Sequence, residues 1–256
     1  MQSTLLELPE TKKNNNQEEC AAGWVFVRIE QEDLLPMIIP HAQAVAFGLA
    51  RRLRLIEILE PDHTSVRPPD PVEWDLRRRE AQLHLEKLAT HYADERCSID
   101  TRVLERFVPD EVGSCDSKAM PILGFGRHHN QLPWQLDSAN RRFLETHCSS
   151  VLMVPDEVVV RTHVSFGKIM VPLDGSSRAE LALPLALEMA KRHGAEIFIA
   201  HAAPEAILTV SRPLEAEALE LMHRVKVRNQ RVAAEYLAKI RSRFSSTGVI
   251  VNTHIV

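Results

Sequence analysis

Short apolar runs alternate with longer amphipathic stretches along most of the chain. The apolar runs predict strands, in chain order Trp24–Ile29, Leu55–Leu59, Ser98–Phe107, Met120–Gly124 and Val151–Val154. The stretches between them predict helices over Leu34–Arg52, Val72–Asp94 and Ser138–His147. Strands separated by helices are typical of a parallel sheet with helices on both faces, so this part of the chain is predicted to have an α/β fold.

The same order of elements begins again near residue 168. Its elements are predicted at Lys168–Leu173 (strand), Ala179–Arg192 (helix), Glu196–His201 (strand), Pro213–Phe244 (helix) and Val249–Val256 (strand). Residues 1–22 are polar, have no helical or strand period, and are predicted to be a disordered tail. The sequence therefore predicts two tandem doubly wound parallel-sheet domains, 23–156 and 167–256, joined by a linker at 157–166. The second domain is expected to lack its C-terminal strands.

Matching residues in the two halves support an internal repeat. At an offset of 144 positions (171 − 27) the pairs are Val27 with Val171, Glu30 with Asp174, Pro40 with Pro184 and Ala42 with Ala186. Further on, an offset of 140 (190 − 50) places Ala50–Arg52 on Ala190–Arg192. The change of offset predicts about one extra helical turn in the first copy.

Composition and charge narrow the classes of function. The chain is 45% hydrophobic and 26% charged, with a net charge of −4, which predicts a soluble globular protein without general attraction to nucleic acid or anionic lipid. Leu34–Ala50 contains no charged side chain, but it is short for a membrane span and contains Pro36 and Pro40, which favours a buried helix. The first residues do not resemble a secretion signal, so we expect a cytoplasmic protein.

Cysteine and histidine spacing gives no metal or catalytic motif. The cysteines form no CxxC pair and are predicted to be reduced thiols: Cys20, Cys97, Cys115 and Cys148. His84 and His91 share a helix face without a third ligand and are predicted to be surface residues. No Ser/His/Asp or Cys/His arrangement can be proposed, so the chain is predicted not to be an enzyme.

The sharpest local signal is the segment Val171–Ser177, in which a buried-type strand runs directly into Asp-Gly-Ser. Open parallel sheets bind ligands beyond the carboxyl ends of their strands. A carboxylate at Asp174 could there accept hydrogen bonds from a ribose or an adenine amine, while Gly175 and Ser176 allow a close turn. The alternative is that Asp174 or Ser176 only caps the following helix.

Together with Ala182–Ala186 and the strand that ends at His201, this segment resembles the opening of a universal stress protein domain. The resemblance implies an adenine nucleotide alpha hydrolase-like fold and contact between Asp174 and an adenine nucleotide. The nucleotide-binding residues expected from it are Pro172, Leu173, Asp174, Gly175, Ser176 and Ala202. ATP or AMP, weakly bound, is the expected ligand.

In ATP-binding members of that family, a Gly-x-x-Gly loop and a later Gly-Ser hold the phosphates. The second copy ends at Val256 before such a loop, so it is expected to have an adenosine side and no phosphate side. In the first copy, Gly124 and Ser138 match the family pattern, whereas Arg127 and Asp137 stand where glycine is usual. We therefore predict a degenerate phosphate loop that comprises Gly124, Gly126, Arg127 and Ser138.

Glu30-Gln31-Glu32 replaces Asp-Gly-Ser in the first copy, so that domain is predicted to be structural and not to bind nucleotide. An anion or metal patch at Arg127, His128 and His129 is the alternative to a solvated loop there. The strand Val151–Val154 resembles the strand through which the family pairs domains. A homodimer through this strand is therefore expected, because an uncovered apolar edge would aggregate.

Two functions follow from the resemblance. The first is a non-catalytic stress-response module that acts through an unidentified protein partner, with at most weak adenine-nucleotide binding. The alternative is an ATP- or AMP-binding universal stress protein that uses the second domain. A nucleotidyl transferase of related fold is a weaker third possibility, because the sequence shows neither a phosphate loop nor an acid–base pair. No nucleic-acid or membrane partner is expected.

Overall fold

The computed structural model describes residues 23–29, 32–59, 70–104, 121–127, 141, 150–203 and 216–256. It divides into two compact units, Met1–His163 and Val164–Val256. Both units contain parallel sheets with helical crossovers, which confirms the predicted α/β class. The predicted tail at 1–22, and most of the predicted helix Ser138–His147, lie outside the described residues.

The first unit is built on a five-stranded parallel sheet in the order β3-β2-β1-β4-β5. Its strands are β1 (Trp24–Arg28), β2 (Arg52–Ile58), β3 (Ile99–Leu104), β4 (Ile122–Arg127) and β5 (Ser150–Pro155). The strand order reverses between β1 and β4. Apolar residues of β1, β2 and β4 are almost completely buried, as expected for central strands of a parallel sheet.

Helix α1 (Leu35–Gly48) follows a 3₁₀ turn at Glu32–Leu34 and packs on β1, β2, β4 and β5. Pro36 lies in its first turn, where the missing N–H breaks no helical hydrogen bond. Most of its residues are buried, so the charge-free stretch is a core helix, as predicted. Among the described helices, none has the length and apolar character needed to cross a membrane.

Helix α2 (Pro71–His91) packs on β2 and β3. Asp70 is its N-cap and accepts a hydrogen bond from the Val72 N–H at 2.9 Å, and Pro71 follows at the first helical position. Only Ala81 and Leu85 of this helix are buried. The helix is therefore largely solvent-facing, and it ends three residues before the predicted Asp94.

The second unit has a three-stranded parallel sheet in the order β6-β7-β8. Strands β6 (Lys168–Leu173) and β7 (Glu196–His201) have the predicted bounds, and β8 is Val251–Ile255. The predicted helix Ala179–Arg192 is in fact two helices, α3 (Ser177–Glu180) and α4 (Ala182–His193), that meet at Leu181. Helix α5 (Ala216–Arg243) and α4 cover one face of the sheet, and their core includes Leu183, Ile197, Leu237, Ile240 and Phe244.

One sequence offset, 144, relates the first unit to the second over the whole segment from β1 to the start of β2. The predicted change to an offset of 140 within this segment is therefore wrong. Trp24 and Lys168, which begin β1 and β6, are 144 residues apart (168 − 24), and so are Arg52 and Glu196 (196 − 52). The backbone hydrogen bonds around the helix ends correspond at this offset: Arg51 N to Ala46 O (2.8 Å) with Ala195 N to Ala190 O (2.9 Å), and Arg52 N to Gly23 O (3.3 Å) with Glu196 N to Gly167 O (3.0 Å). The first copy therefore has no extra helical turn.

The offset pairs Ala50 with Gly194, and both have a left-handed backbone, with φ of 51° and 66°. Alanine is strained in this region and glycine is not. We expect Ala50→Gly to raise the free energy of unfolding of the first unit by about 0.5–1 kcal/mol, and Gly194→Ala to lower that of the second by a similar amount. Denaturant unfolding followed by tryptophan fluorescence checks the first change, because Trp24, Trp74 and Trp134 all precede residue 163. A loss of stability in Ala50→Gly would contradict the strain.

Candidate functional site

The segment Asp174–Ser176 forms a tight turn at the carboxyl end of β6. The Ser176 N–H donates to Asp174 Oδ1 at 2.8 Å, and Gly175 has φ of 85°, a conformation that suits glycine. Ser176 Oγ accepts from the Ala179 N–H at 3.2 Å and is the N-cap of α3. The capping interpretation is thus confirmed for Ser176, while Asp174 closes the turn and its side chain stays at the solvent-facing sheet edge.

Hydrogen bonds from Ser176 lower the pKa of Asp174 below its usual value, and the nearby His201 contributes in the same direction. Asp174 is therefore a carboxylate at neutral pH. A carboxylate accepts hydrogen bonds and attracts donors such as hydroxyl and amine groups. It also repels anions, so the turn favours the sugar or base side of a nucleotide over its phosphates.

His201 ends β7 directly beside the end of β6, with Leu173 as its register partner. Its side chain is buried, and Nδ1 donates to the Leu173 carbonyl at 2.8 Å. Because a carbonyl only accepts, Nδ1 carries a proton, and in the neutral ring Nε2 is the acceptor. His201 Cε1 lies 3.7 Å from the position that a Cβ on Gly175 would take, so the ring supports the Asp174 turn from below.

Three further side chains meet beside His201. The Tyr236 ring lies 5.2 Å from the His201 ring, between centroids, and its hydroxyl donates to Glu180 Oε1 at 3.1 Å. Arg243 Nη1 donates to Glu180 Oε2 at 2.7 Å. Burial, followed by the bond to ionised Glu180, raises the pKa of Tyr236 to about 12. Bonds from Arg243 and Tyr236 lower the pKa of Glu180, so this carboxylate stays ionised and held in place.

Sequence reasoning identified the turn and missed most of the cluster. The sequence pattern places His201 only at the end of a strand, although a histidine at the last position of a buried strand is a usable signal. The predicted residues do not all serve one surface, because the side chains of Pro172 and Leu173 point to opposite faces, exposed and buried. Ala202 is exposed and directly follows β7, on the same edge as Asp174.

The residues of the predicted phosphate loop have a different setting. Gly124, Gly126 and Arg127 lie inside β4, which continues three residues beyond the predicted end at Gly124. A Cβ on Gly126 would lie 2.7 Å from Leu34 Cδ1 and 2.9 Å from Ile38 Cδ1, so this glycine permits close packing of β4 against the start of α1. Arg127 Nε is buried and has no hydrogen-bond partner within the described residues.

Ser138, Asp137, His128 and His129 lie outside the described residues, as do Glu30 and Gln31. Of the predicted thiols, Cys97 is described, and it is free and buried. Among the residues that the structure describes, no group of three His, Cys, Asp or Glu side chains is arranged to hold a metal ion.

The corresponding edge of the first unit has a different chemistry. At the offset of 144 (201 − 57), Glu57 of β2 takes the place of His201. His84 of α2 lies between two carboxylates, with Nδ1 3.4 Å from Glu57 Oε2 and Nε2 3.7 Å from Glu32 Oε1. At this position the first unit therefore has the carboxylate of Glu57 where the Asp174 edge has the buried His201.

Comparisons with known proteins bear on the family. Residues 165–256 match the model of the universal stress protein family. A solved universal stress protein from Archaeoglobus fulgidus DSM 4304 is similar at 17% identity and a TM-score of 0.53, over 91% of this chain and 77% of that one. Another, a putative universal stress protein from Pseudomonas aeruginosa UCBPP-PA14, is 18% identical over 93% of this chain and 76% of that one, with a TM-score of 0.45. None of the curated proteins matches the chain.

The second unit is thus a universal stress protein domain, and the resemblance stated from its sequence is confirmed. Similarity to the Archaeoglobus structure supports the fold alone at this level of identity. The match of the second unit to this family supports a role in stress response. That the chain is a tandem of two such domains stays a prediction.

Proposed function

We propose that the protein is a non-catalytic stress-response module that acts through protein interaction and binds adenine nucleotides at most weakly, at the Asp174 edge. The observation that carries the proposal is the pattern of hydrogen bonds and charge at that edge. Asp174 Oδ1 accepts a hydrogen bond within the turn, Ser176 Oγ accepts one from α3, and the turn begins with the carboxylate of Asp174. These groups suit an adenosine moiety better than a triphosphate.

Arg243, the cation beside His201, does not offset the negative charge of Asp174. Arg243 is bound to Glu180 at 2.7 Å, and Glu180 is also bound by Tyr236. Because the positive charge of this guanidinium is already paired with the Glu180 carboxylate, it attracts a phosphate less strongly. We therefore expect little gain in affinity from adenosine to ATP.

The carboxylates of Asp174 and Glu180 and the phenol of Tyr236 are poorly suited to proton transfer. An effective general acid or base has a pKa close to the working pH. The pKa of Tyr236 is raised to about 12, and the pKa values of Asp174 and Glu180 are lowered. These values support a module without catalytic activity.

The exposed position of Asp174 at the carboxyl edge of a parallel sheet favours the alternative, a functional ATP- or AMP-binding protein that uses the second domain. Calorimetric titration with adenosine, AMP and ATP separates the two. We expect dissociation constants of about 1 mM or weaker for all three ligands, with ATP no tighter than adenosine.

Asp174→Asn keeps the acceptor that closes the turn and removes the charge, so it should weaken adenosine binding several-fold. Glu188→Gln, at an exposed carboxylate of α4, is the matched control and should leave binding unchanged. Micromolar binding of ATP by the native protein would refute the proposed function and establish the alternative.

A homodimer through β5 is part of the proposal. β5 lies at one edge of the first sheet, with β4 as its neighbour, and Val151 is 42% exposed. Pairing with the same strand of a second copy would cover the apolar segment Val151–Val154.

A further inference from the structure

Strand β8 is an open sheet edge. On its inner side the Ile197 N–H donates to Ile250 O and the Val256 N–H donates to His201 O, both at 2.9 Å. Because main-chain groups alternate between the two sides of a strand, the N–H and C=O groups of Val251, Thr253 and Ile255 point to the outer side. No strand pairs with that side within the described part of the chain.

This edge lacks the devices that usually prevent pairing. The equivalent edge of the first unit, β3, carries Asp100 and Arg102, and Asp100 forms an ion pair with Arg54 at 2.6 Å. β8 reads Val-Asn-Thr-His-Ile and contains no lysine, arginine, proline or carboxylate. An uncharged edge with unpaired main-chain groups is a template for another strand.

A groove of about 840 Å³ runs between β8 and the C-terminal half of α5. Its floor is apolar and buried, formed by Leu237, Phe244 and Val251. Small exposed residues of α5, Ala238 and Ser242, form the opposite wall and leave room beside the strand. The groove is therefore placed to receive alternate side chains of a strand that pairs with β8.

The charges in the groove define what fits it. The described residues that line it include Arg241 and His254 and no aspartate or glutamate. Arg241 is exposed and has no ion-pair partner among the described residues. An occupant with an acidic side chain beside an apolar one would match both the cation and the floor.

We propose that β8 and this groove bind an extended peptide segment of a partner protein by strand addition, with an acidic side chain of the segment paired to Arg241. The proposal rests on the interaction role given above and locates the surface that performs it. Main-chain hydrogen bonds to Val251, Thr253 and Ile255 would supply affinity, and the groove would supply specificity. A second copy of β8 fits less well, because it brings no carboxylate to Arg241.

The test uses the full chain and a capped synthetic peptide whose alternate, groove-facing positions carry valine and one glutamate, with threonine at the positions between them. Hydrogen exchange measured by NMR is the sharpest readout. In the free protein the amides of Thr253 and Ile255 should exchange fast and those of Asn252 and His254 slowly, because only the latter pair with β7. With the peptide, Thr253 and Ile255 should become protected.

Substitutions in the chain and in the probe identify the contacts. Thr253→Pro removes one outward N–H and keeps the pairing with β7, since proline is tolerated on the free side of an edge strand. It should weaken peptide binding about tenfold, whereas Thr253→Ala should not. Arg241→Glu should reverse the preference, so that a peptide with lysine in place of glutamate binds more tightly.

Several results would overturn the inference. One is peptide binding without protection of the Thr253 and Ile255 amides. Another is equal affinity for the glutamate and lysine peptides. A third is a smaller oligomer for Thr253→Pro than for the native protein, which would show that β8 pairs between copies. If Thr253→Pro does not fold, the Arg241→Glu reversal still decides. Tight ATP binding would refute the proposed function without touching this result, and a failed peptide test would leave the nucleotide result intact.

Discussion

Gly126→Ala is expected to lower the free energy of unfolding of the first unit by about 1–3 kcal/mol. The added methyl would lie 2.7 Å from Leu34 Cδ1 and 2.9 Å from Leu34 Cβ, closer than carbon atoms approach in proteins. Leu34 and Ile38 are each only 3% exposed, so neither can move away freely. The start of α1 must shift from β4, and denaturant unfolding followed by tryptophan fluorescence measures the loss.

Gly124→Ala on the same strand is the matched control. Its Cβ would lie 3.2 Å from Val27 Cγ2, which calls for a much smaller adjustment. The double variant of Gly126→Ala with Ile38→Val should lose less than the sum of the single variants, because the shortened side chain yields space. Equal stability of Gly126→Ala and the native protein would show that this glycine is not required for packing.

Strands β6 and β7 could be predicted more closely than the end of α1, for a physical reason. β6 and β7 are apolar runs that begin at Lys168 and Glu196, and their bounds depend on local sequence alone. The end of α1 depends on Ala50, which adopts a left-handed conformation that alanine does not favour. Nothing in the side chain signals that choice, so the helix was predicted four residues too long, to Arg52 instead of Gly48.

The residues of the candidate site also differ in how well the sequence predicts them. Asp174, Gly175 and Ser176 are consecutive, so their turn could be predicted from residue type. Tyr236 and Arg243 lie 56 and 63 positions from Glu180 and meet it only because α5 packs across the sheet. Gly126 shows the opposite error, since it belongs to the predicted degenerate phosphate loop and yet lies where a strand contacts a helix.

His201→Ala is expected to destabilise the second unit by about 2–4 kcal/mol. The change removes a buried ring, leaves the Leu173 carbonyl without the donor at 2.8 Å, and takes away the face on which Tyr236 rests. Because the ring also lies under Gly175, the turn that holds Asp174 should become mobile. Hydrogen exchange of the amides in β6, β7 and the Asp174 turn measures both the global and the local effect.

His201→Asn separates the contribution of the hydrogen bond from that of the packing of the ring. The asparagine amide can place a donor near the position of Nδ1, so it should restore order in the Asp174 turn while part of the packing loss remains. His254→Ala, at an exposed histidine of β8, should change stability by no more than about 0.5 kcal/mol. If the Asp174 turn were as mobile in His201→Asn as in His201→Ala, the hydrogen bond to the Leu173 carbonyl would not be what positions Asp174. The buried histidine would then act through ring packing alone.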